Sequence, residues 1–289
     1  MHTARMPDLA TPAANCSSHT ADCSAASLVV SPPKVAFVVA GAARSFLRPE
    51  VWGSYLEHVL VPFGAGRSAV FLYLRDASHC KEALLPLLAQ LRERGWFGAM
   101  QCEDTPSVAP PPLHARCAGR WAARRKWTQV RDYAPRAHRW WSAMAASWQL
   151  VEQYEREEPG AGAFEMVVFS RPDLFYVHPM GRWCAYARDT WHSGGALMPD
   201  MFWIMPRAVA ANVLNRTDAT FFGCAPHQPC CQDLGYVASL LSWWSTSFWT
   251  RQLGTRLRDD LLGSARVASP SNAQWVQAFL GCRPRRERG

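Results

Sequence analysis

Three apolar runs constrain this chain most, because each ends abruptly in small or charged residues. "KVAFVVAGAARSF" holds a buried strand over Val35 to Ala40 that runs into a small-residue turn at Gly41 to Ala43. "SAVFLYLRD" holds a second, Ala69 to Leu74, closed by Arg75-Asp76. "FEMVVFSRPDLF" holds a third, Met166 to Phe169, closed by Ser-Arg-Pro-Asp. Continuous apolar strands suit a sheet covered on both faces. The segments between them have helical character. "EVWGSYLEHVLVPFG" reads as a short amphipathic helix ending near Pro62 and Gly64, and "HCKEALLPLLAQLRERGW" as a helix despite Pro86. "FGAMQCED" reads as a further short strand. In "RAHRWWSAMAASWQLVEQYEREE", Trp141, Met144, Trp148 and Val151 recur at spacings of three and four, which is one apolar face of a long helix. That helix stops at Pro159-Gly160. Strands alternating with helices predict an α/β domain with a mainly parallel central sheet flanked by helices.

Beyond the third run, "ALMPDMFWIMP" reads as a strand region broken at Pro199-Asp200, and Arg207 to Leu214 as a helix. Cys224 to Cys231 is a Cys/Pro-rich loop, and "QDLGYVASLLSWWSTSF" reads as another helix. Residues 1–33 read as a disordered or targeting leader, 34–282 as one domain and 283–289 as a basic tail. A chain of 289 residues with 49% hydrophobic content is enough for one sizeable core.

The formal net charge of +8 suits anionic or phosphorylated partners. It is divided between "RWAARRKW" and "RPRRERG" rather than gathered in one block, and no zinc-finger, helix-turn-helix or RNA-binding signature accompanies it. Nucleic acid is therefore not an expected partner. No run approaches the roughly 20 apolar residues that cross a bilayer, so no transmembrane segment is expected. The leader lacks the apolar core of a signal peptide. Localisation is not written in the sequence. Ten cysteines and two sequons, at Asn15 and Asn215, lean towards an oxidising secretory compartment such as the Golgi lumen. Within "CAPHQPCC", Cys224, His227 and Cys230 or Cys231 could hold zinc, but the spacing matches no standard module, and a disulfide to a distant cysteine is the alternative.

The Ser170–Leu174 stretch carries the clearest chemistry. Ligands of open α/β sheets bind beyond the carboxyl ends of the strands. Pro172 cannot donate to a ladder, so Asp173 is presented at a strand end with Arg171 beside it. A carboxylate there can bind a hard divalent cation, and an arginine can pair with a phosphate. The plainer alternative is an Arg–Asp pair closing a turn.

The stretch from Phe164 to Phe175 resembles a group of glycosyltransferase-like proteins with the GT-A nucleotide-sugar fold, in which the strand reads "YD-hydrophobics-R-x-R-P-D-L-x-F". "VAFVVAGAARSF", with Gly41 and Arg44, resembles the first strand and nucleotide-side loop of that group. "MPDMFWIMPRAVA", with Asp200 and Phe202, resembles its downstream "D-x-F" strand. The resemblance runs in order over residues 34 to 245 or so. It implies a transferase moving a sugar from a nucleotide-diphosphate sugar to an acceptor hydroxyl, often with Mn2+ or Mg2+. Gly41, Arg44, Arg171 and Asp173 would then contact the donor sugar nucleotide, with Asp173 also the metal ligand. Arg171 stands where the first aspartate of a D-x-D motif is expected. Asp200 reads as an acceptor-binding residue or general base, or as a turn aspartate. Asp233 reads as a catalytic acid or base on a late helix, or as a helix cap. Among the 14 tryptophans, Trp191 and Trp203 flank the site segments and are candidates for sugar stacking; His192 is a candidate substrate contact, and most of the tryptophans read as core. Two rivals stand beside the transferase. One is a catalytically degenerate glycan- or protein-binding module of the same fold. The other, lower in rank, is a sulfotransferase, for which Gly41, Arg44 and Ser45 lie in a fitting loop but no Walker-type lysine follows.

Overall fold

The computed structural model describes residues 31–64, 67–75, 79–104, 127–158, 162–176, 179–193, 202–223, 256–258 and 267–268. Its strands are β1 (Lys34–Ala42), β2 (Arg67–Arg75), β3 (Phe97–Glu103), β4 (Met166–Ser170), β5 (Phe175–Tyr176), β6 (Thr190–Ser193), β7 (Phe202–Pro206), β8 (Arg256–Arg258) and β9 (Val267–Ala268). The helices are α1 (Pro49–Tyr55), α2 (Val61–Phe63), α3 (Cys80–Ala83), α4 (Leu85–Glu93), α5 (Trp127–Glu157) and α6 (Arg207–Gly223).

Seven strands form one sheet in the order β3-β2-β1-β4-β7-β6-β8. The first four are mutually parallel, so the expected α/β class and mainly parallel centre hold. β7 enters antiparallel to both β4 and β6, and β6 pairs β8 in parallel, so the sheet is mixed. A two-stranded antiparallel ladder, β5 with β9, stands apart.

β1 shows why its sequence is apolar without a break. Ala36, Val38 and Ala40 face α5 and α6, meeting Trp141, Met144, Trp148 and Val213. Val35, Phe37 and Val39 face the other layer, with Val51, Tyr55, Phe63 and Leu88. All six β1 residues are essentially without solvent contact. Alternate side chains thus enter two separate cores, which a half-exposed strand cannot do.

Two prolines reshape the expected helices. The helix that carries Pro86 divides into α3 and α4, with Pro86 in the first turn of α4, where its missing N–H costs nothing. The helix before Gly64 passes through a π-helical turn, Leu56–Leu60, between α1 and α2. Residue 62 is proline and has no N–H for the His58 carbonyl; that carbonyl instead accepts the Met180 N–H at 2.8 Å. Gly64 then ends α2 at φ +62°, a left-handed stop. A disulfide, Cys80–Cys102, ties the start of α3 to β3, and Cys184 is disulfide-bonded as well.

Candidate functional site at the reversal of strand order

The chain lays β2 and β3 on one side of β1, then returns to lay β4 on the other. Strand order therefore reverses between β1 and β4. The crevice beyond the carboxyl ends of such a pair is where open α/β sheets hold ligands.

Two sequence candidates meet there. Gly41, the penultimate residue of β1, has φ +142°, a conformation that L side chains rarely adopt. A Cβ on Gly41 would lie 3.0 Å from Cδ of Pro172. The turn after β4 thus rests on the end of β1, and glycine is what permits the approach. Pro172 itself is buried, while Arg171 and Asp173 on either side of it are partly exposed.

Those two residues form an ion pair within the turn. Arg171 donates from Nε to one Asp173 oxygen at 2.9 Å and from Nη2 to the other at 2.5 Å. Their side chains keep 29% and 26% of their exposure. Below the turn, Ser170, Tyr176 and Ser54 brace it. Ser170 Oγ donates to the Arg171 carbonyl at 3.0 Å and lies 2.7 Å from the Tyr176 hydroxyl. The Tyr176 N–H reaches Ser54 Oγ at 3.1 Å, and Ser54 Oγ donates to the Val51 carbonyl at 2.8 Å. Burial, then the neighbouring Tyr55, holds the Tyr176 phenol well above its ordinary range, so it stays protonated. The Tyr55 hydroxyl is buried beside it with no hydrogen-bond partner.

Arg44 opens a short 3-10 helix, Arg44–Leu47, three residues beyond Gly41; its side chain lies outside the described residues. Asp200 and Asp233 also lie outside them, as do the Cys224–Cys231 loop and the expected helix that follows it. The structure thus brings Gly41, Arg171 and Asp173 together and places the backbone of Arg44 nearby.

Three other candidates belong to the core. Trp191 and Trp203 are fully buried and pack edge to face at 5.6 Å, with Phe169 stacked on Trp203 at 5.0 Å. No sugar ring can reach either indole. His192 is also fully buried, set edge-on to the Tyr186 ring at 5.3 Å. All three sit where β6 and β7 pack against their neighbours, and a period-two apolar pattern does not separate such positions from a ligand-facing wall.

A second polar cluster at the same edge escaped the sequence reading. Arg75 and Glu103 are register partners across β2 and β3. Arg75 donates to Glu103 at 2.9 Å, to the Arg139 carbonyl at 2.6 Å and to Ser142 Oγ at 3.1 Å. The Tyr73 hydroxyl donates to the same Glu103 oxygen at 2.6 Å. This cluster fastens α5 across the edge. Its sequence signal was Arg75-Asp76, a charged strand end like Arg171-Pro-Asp173.

The opposite, amino edge of the sheet holds a latch. Glu155 of α5 accepts from Arg207 at 2.9 and 2.5 Å and from the Phe164 N–H at 2.8 Å. A depression of about 460 Å3 lies at that edge, lined by Pro32, Lys34, Arg67, Ala163 and Glu165. It is remote from the carboxyl edge and is not the candidate site.

No cluster of three or more metal-ligating side chains occurs among the described residues. Both Asp173 oxygens face a guanidinium, so as arranged this carboxylate does not fit a divalent ion. No helix among the described residues is long and apolar enough to cross a membrane. No protein-family model matches the chain, and no curated protein is significantly similar to it.

Proposed function

We propose that this chain is a GT-A-like glycosyltransferase domain that takes a nucleotide-diphosphate sugar at the crevice between β1 and β4 and passes the sugar to an acceptor hydroxyl. The observation that carries the reading is the contact of Gly41 with Pro172. It sets the first-strand loop against the Arg171–Asp173 turn at the reversal of strand order, the position at which an open α/β sheet takes a nucleotide. Arg171 supplies a planar cation suited to phosphate, and the Gly41–Arg44 backbone lies alongside. Asp200 and Asp233 remain the proposed carboxylates for binding or deprotonating the acceptor. The Cys80–Cys102 disulfide favours an oxidising compartment such as the Golgi lumen.

The test is release of nucleoside diphosphate from a panel of nucleotide sugars, with calorimetric binding of each sugar nucleotide. Turnover with at least one is expected. No turnover and no binding would refute the reading, and binding of adenosine bisphosphate alone would favour a sulfotransferase.

One observation favours a second reading. Arg171 and Asp173 satisfy each other within the turn, as they would in a glycan-binding module that has lost catalysis. Asp173→Asn separates the two: it abolishes turnover in a transferase and leaves glycan binding intact in a module.

A further inference from the structure

We infer that the edge strand β3 is a self-association surface: two copies of this chain pair β3 with β3, antiparallel about a two-fold axis, and carry one sheet across both. The inference stands apart from the reading of the β1–β4 crevice.

β3 is a terminal strand of the large sheet, with β2 on one side and no further strand on the other. The outward N–H and C=O groups of an edge strand are a template for another strand. Natural edges are blunted with lysine, proline or other charges, and the stretch Phe97 to Cys102, "FGAMQC", has none of these. A bulge stands at Gly98, because Val70 pairs with Phe97 and Phe71 with Ala99. From Ala99 to Glu103 the ladder with β2 runs without interruption. No residue of β3 is buried, and Gln101, in the middle of that regular stretch, is exposed.

The flank of the edge is apolar as well. Leu85, Ala89 and Arg92 follow at helical spacings of four and three on one exposed face of α4. Leu85 is 58% exposed, more than any other large apolar side chain among the described residues. The Arg92 guanidinium lies 4.8 Å from the centre of the Phe97 ring, so this face of α4 stands beside the strand. The Cys80–Cys102 disulfide fastens the start of α3 to the same strand. Helix and edge thus form one preset surface.

Charge selects a second copy as the occupant. Arg92 and Arg94 stand at the start of β3, over Phe97 and Trp96, and neither makes an ion pair among the described residues. They outnumber Glu93 between them. At the other end Asp104 is exposed and also makes no ion pair among the described residues. Antiparallel pairing centred on Gln101 sets Ala99 opposite Glu103 and Gly98 opposite Asp104 of the second copy. The acidic end of each strand then meets the arginines of the other, twice by symmetry. Parallel pairing would set like ends together, which is unfavourable.

The experiment is sedimentation velocity of the full chain from about 1 to about 100 μM, where a dimer with a micromolar Kd is expected. Gln101→Lys, which sets two lysines across the axis, should weaken the dimer by at least about fivefold. Arg92→Glu with Arg94→Glu should weaken it by about fivefold or more, and so should Asp104→Arg alone. All three changes in one chain should restore most of the loss, because each reversed end then meets a reversed partner. Unchanged melting temperatures show that the variants fold. A chain that stays monomeric at about 100 μM would overturn the inference. So would a dimer that neither Gln101→Lys nor the charge reversals weaken, since its contact would lie elsewhere.

Discussion

Gly41→Ala tests the contact on which the candidate site is built. Two costs add. At φ +142° an alanine is strained by about 1–3 kcal/mol, the range for backbone regions that essentially only glycine occupies. The new Cβ also meets Pro172 Cδ at 3.0 Å and Cγ at 3.3 Å. Pro172 is a rigid ring in a braced turn, so it yields poorly, and such overpacking costs about 1–3 kcal/mol. A stiffer unfolded chain returns about 0.4–1 kcal/mol. The net loss should be roughly 3 kcal/mol, or a fall in Tm of about 6–12 °C for a domain of this size. Urea denaturation of the variant beside the unaltered protein measures it. Gly53→Ala is the control. Gly53 lies inside α1, and a Cβ there would meet nothing within 4 Å. That substitution should stabilise by up to about 1 kcal/mol, since alanine is the better helix former. If Gly41→Ala costs under about 0.5 kcal/mol, or if both alanines cost the same, the close approach of the two strand ends is refuted.

Two further outcomes bear on what holds the frame around the site. Burial pushes the Glu155 carboxyl up, but hydrogen bonds from Arg207 and the Phe164 N–H, with the charges of Arg207 and Lys34, outweigh it and hold the group below its ordinary value of 4.5. A carboxyl depressed on folding stabilises above that ordinary value and loses its contribution as pH falls through the folded one. Glu155→Gln should therefore cost about 2 kcal/mol near neutrality, a figure kept modest because Arg207 is 33% exposed, and the difference between the two proteins should close in acid, as urea titrations from about pH 3 to 7 will read. Replacing Cys80 and Cys102 together by serine opens a loop of 22 residues and should cost about 3 kcal/mol, and thiol labelling of the unreduced, denatured protein should leave both cysteines unmodified.

Much of the frame was legible because the strands are apolar throughout and their ends are not. Val35 to Ala40 could hardly be other than a central strand, and the Trp141–Met144–Trp148–Val151 stripe could hardly face anything but a sheet. The direction of β7 was not legible, since an apolar run reads the same in both senses. Nor was the burial of Trp191 and Trp203: the two pack on each other, and Trp203 is covered by Phe169 and by Trp140 of α5, distant in sequence. The partner that the π-helical turn gives its freed His58 carbonyl, Met180, is likewise distant in sequence.

The site itself shows the deeper limit. Arg75-Asp76 and Arg171-Pro-Asp173 look alike as charged ends of buried strands, yet their surroundings differ. Arg75 faces Glu103 across the strand register and lies under α5, which leaves it 9% exposed and fully engaged in joining elements. Arg171 faces an aspartate of its own turn, just beyond the end of β4, and stays partly exposed. Their places in the sheet differ too: β2 has neighbours laid down in sequence, while β4 lies on the far side of β1 and follows α5 in the chain. A motif can therefore nominate a charged strand end, but the topology decides whether that end becomes a fastening or an opening.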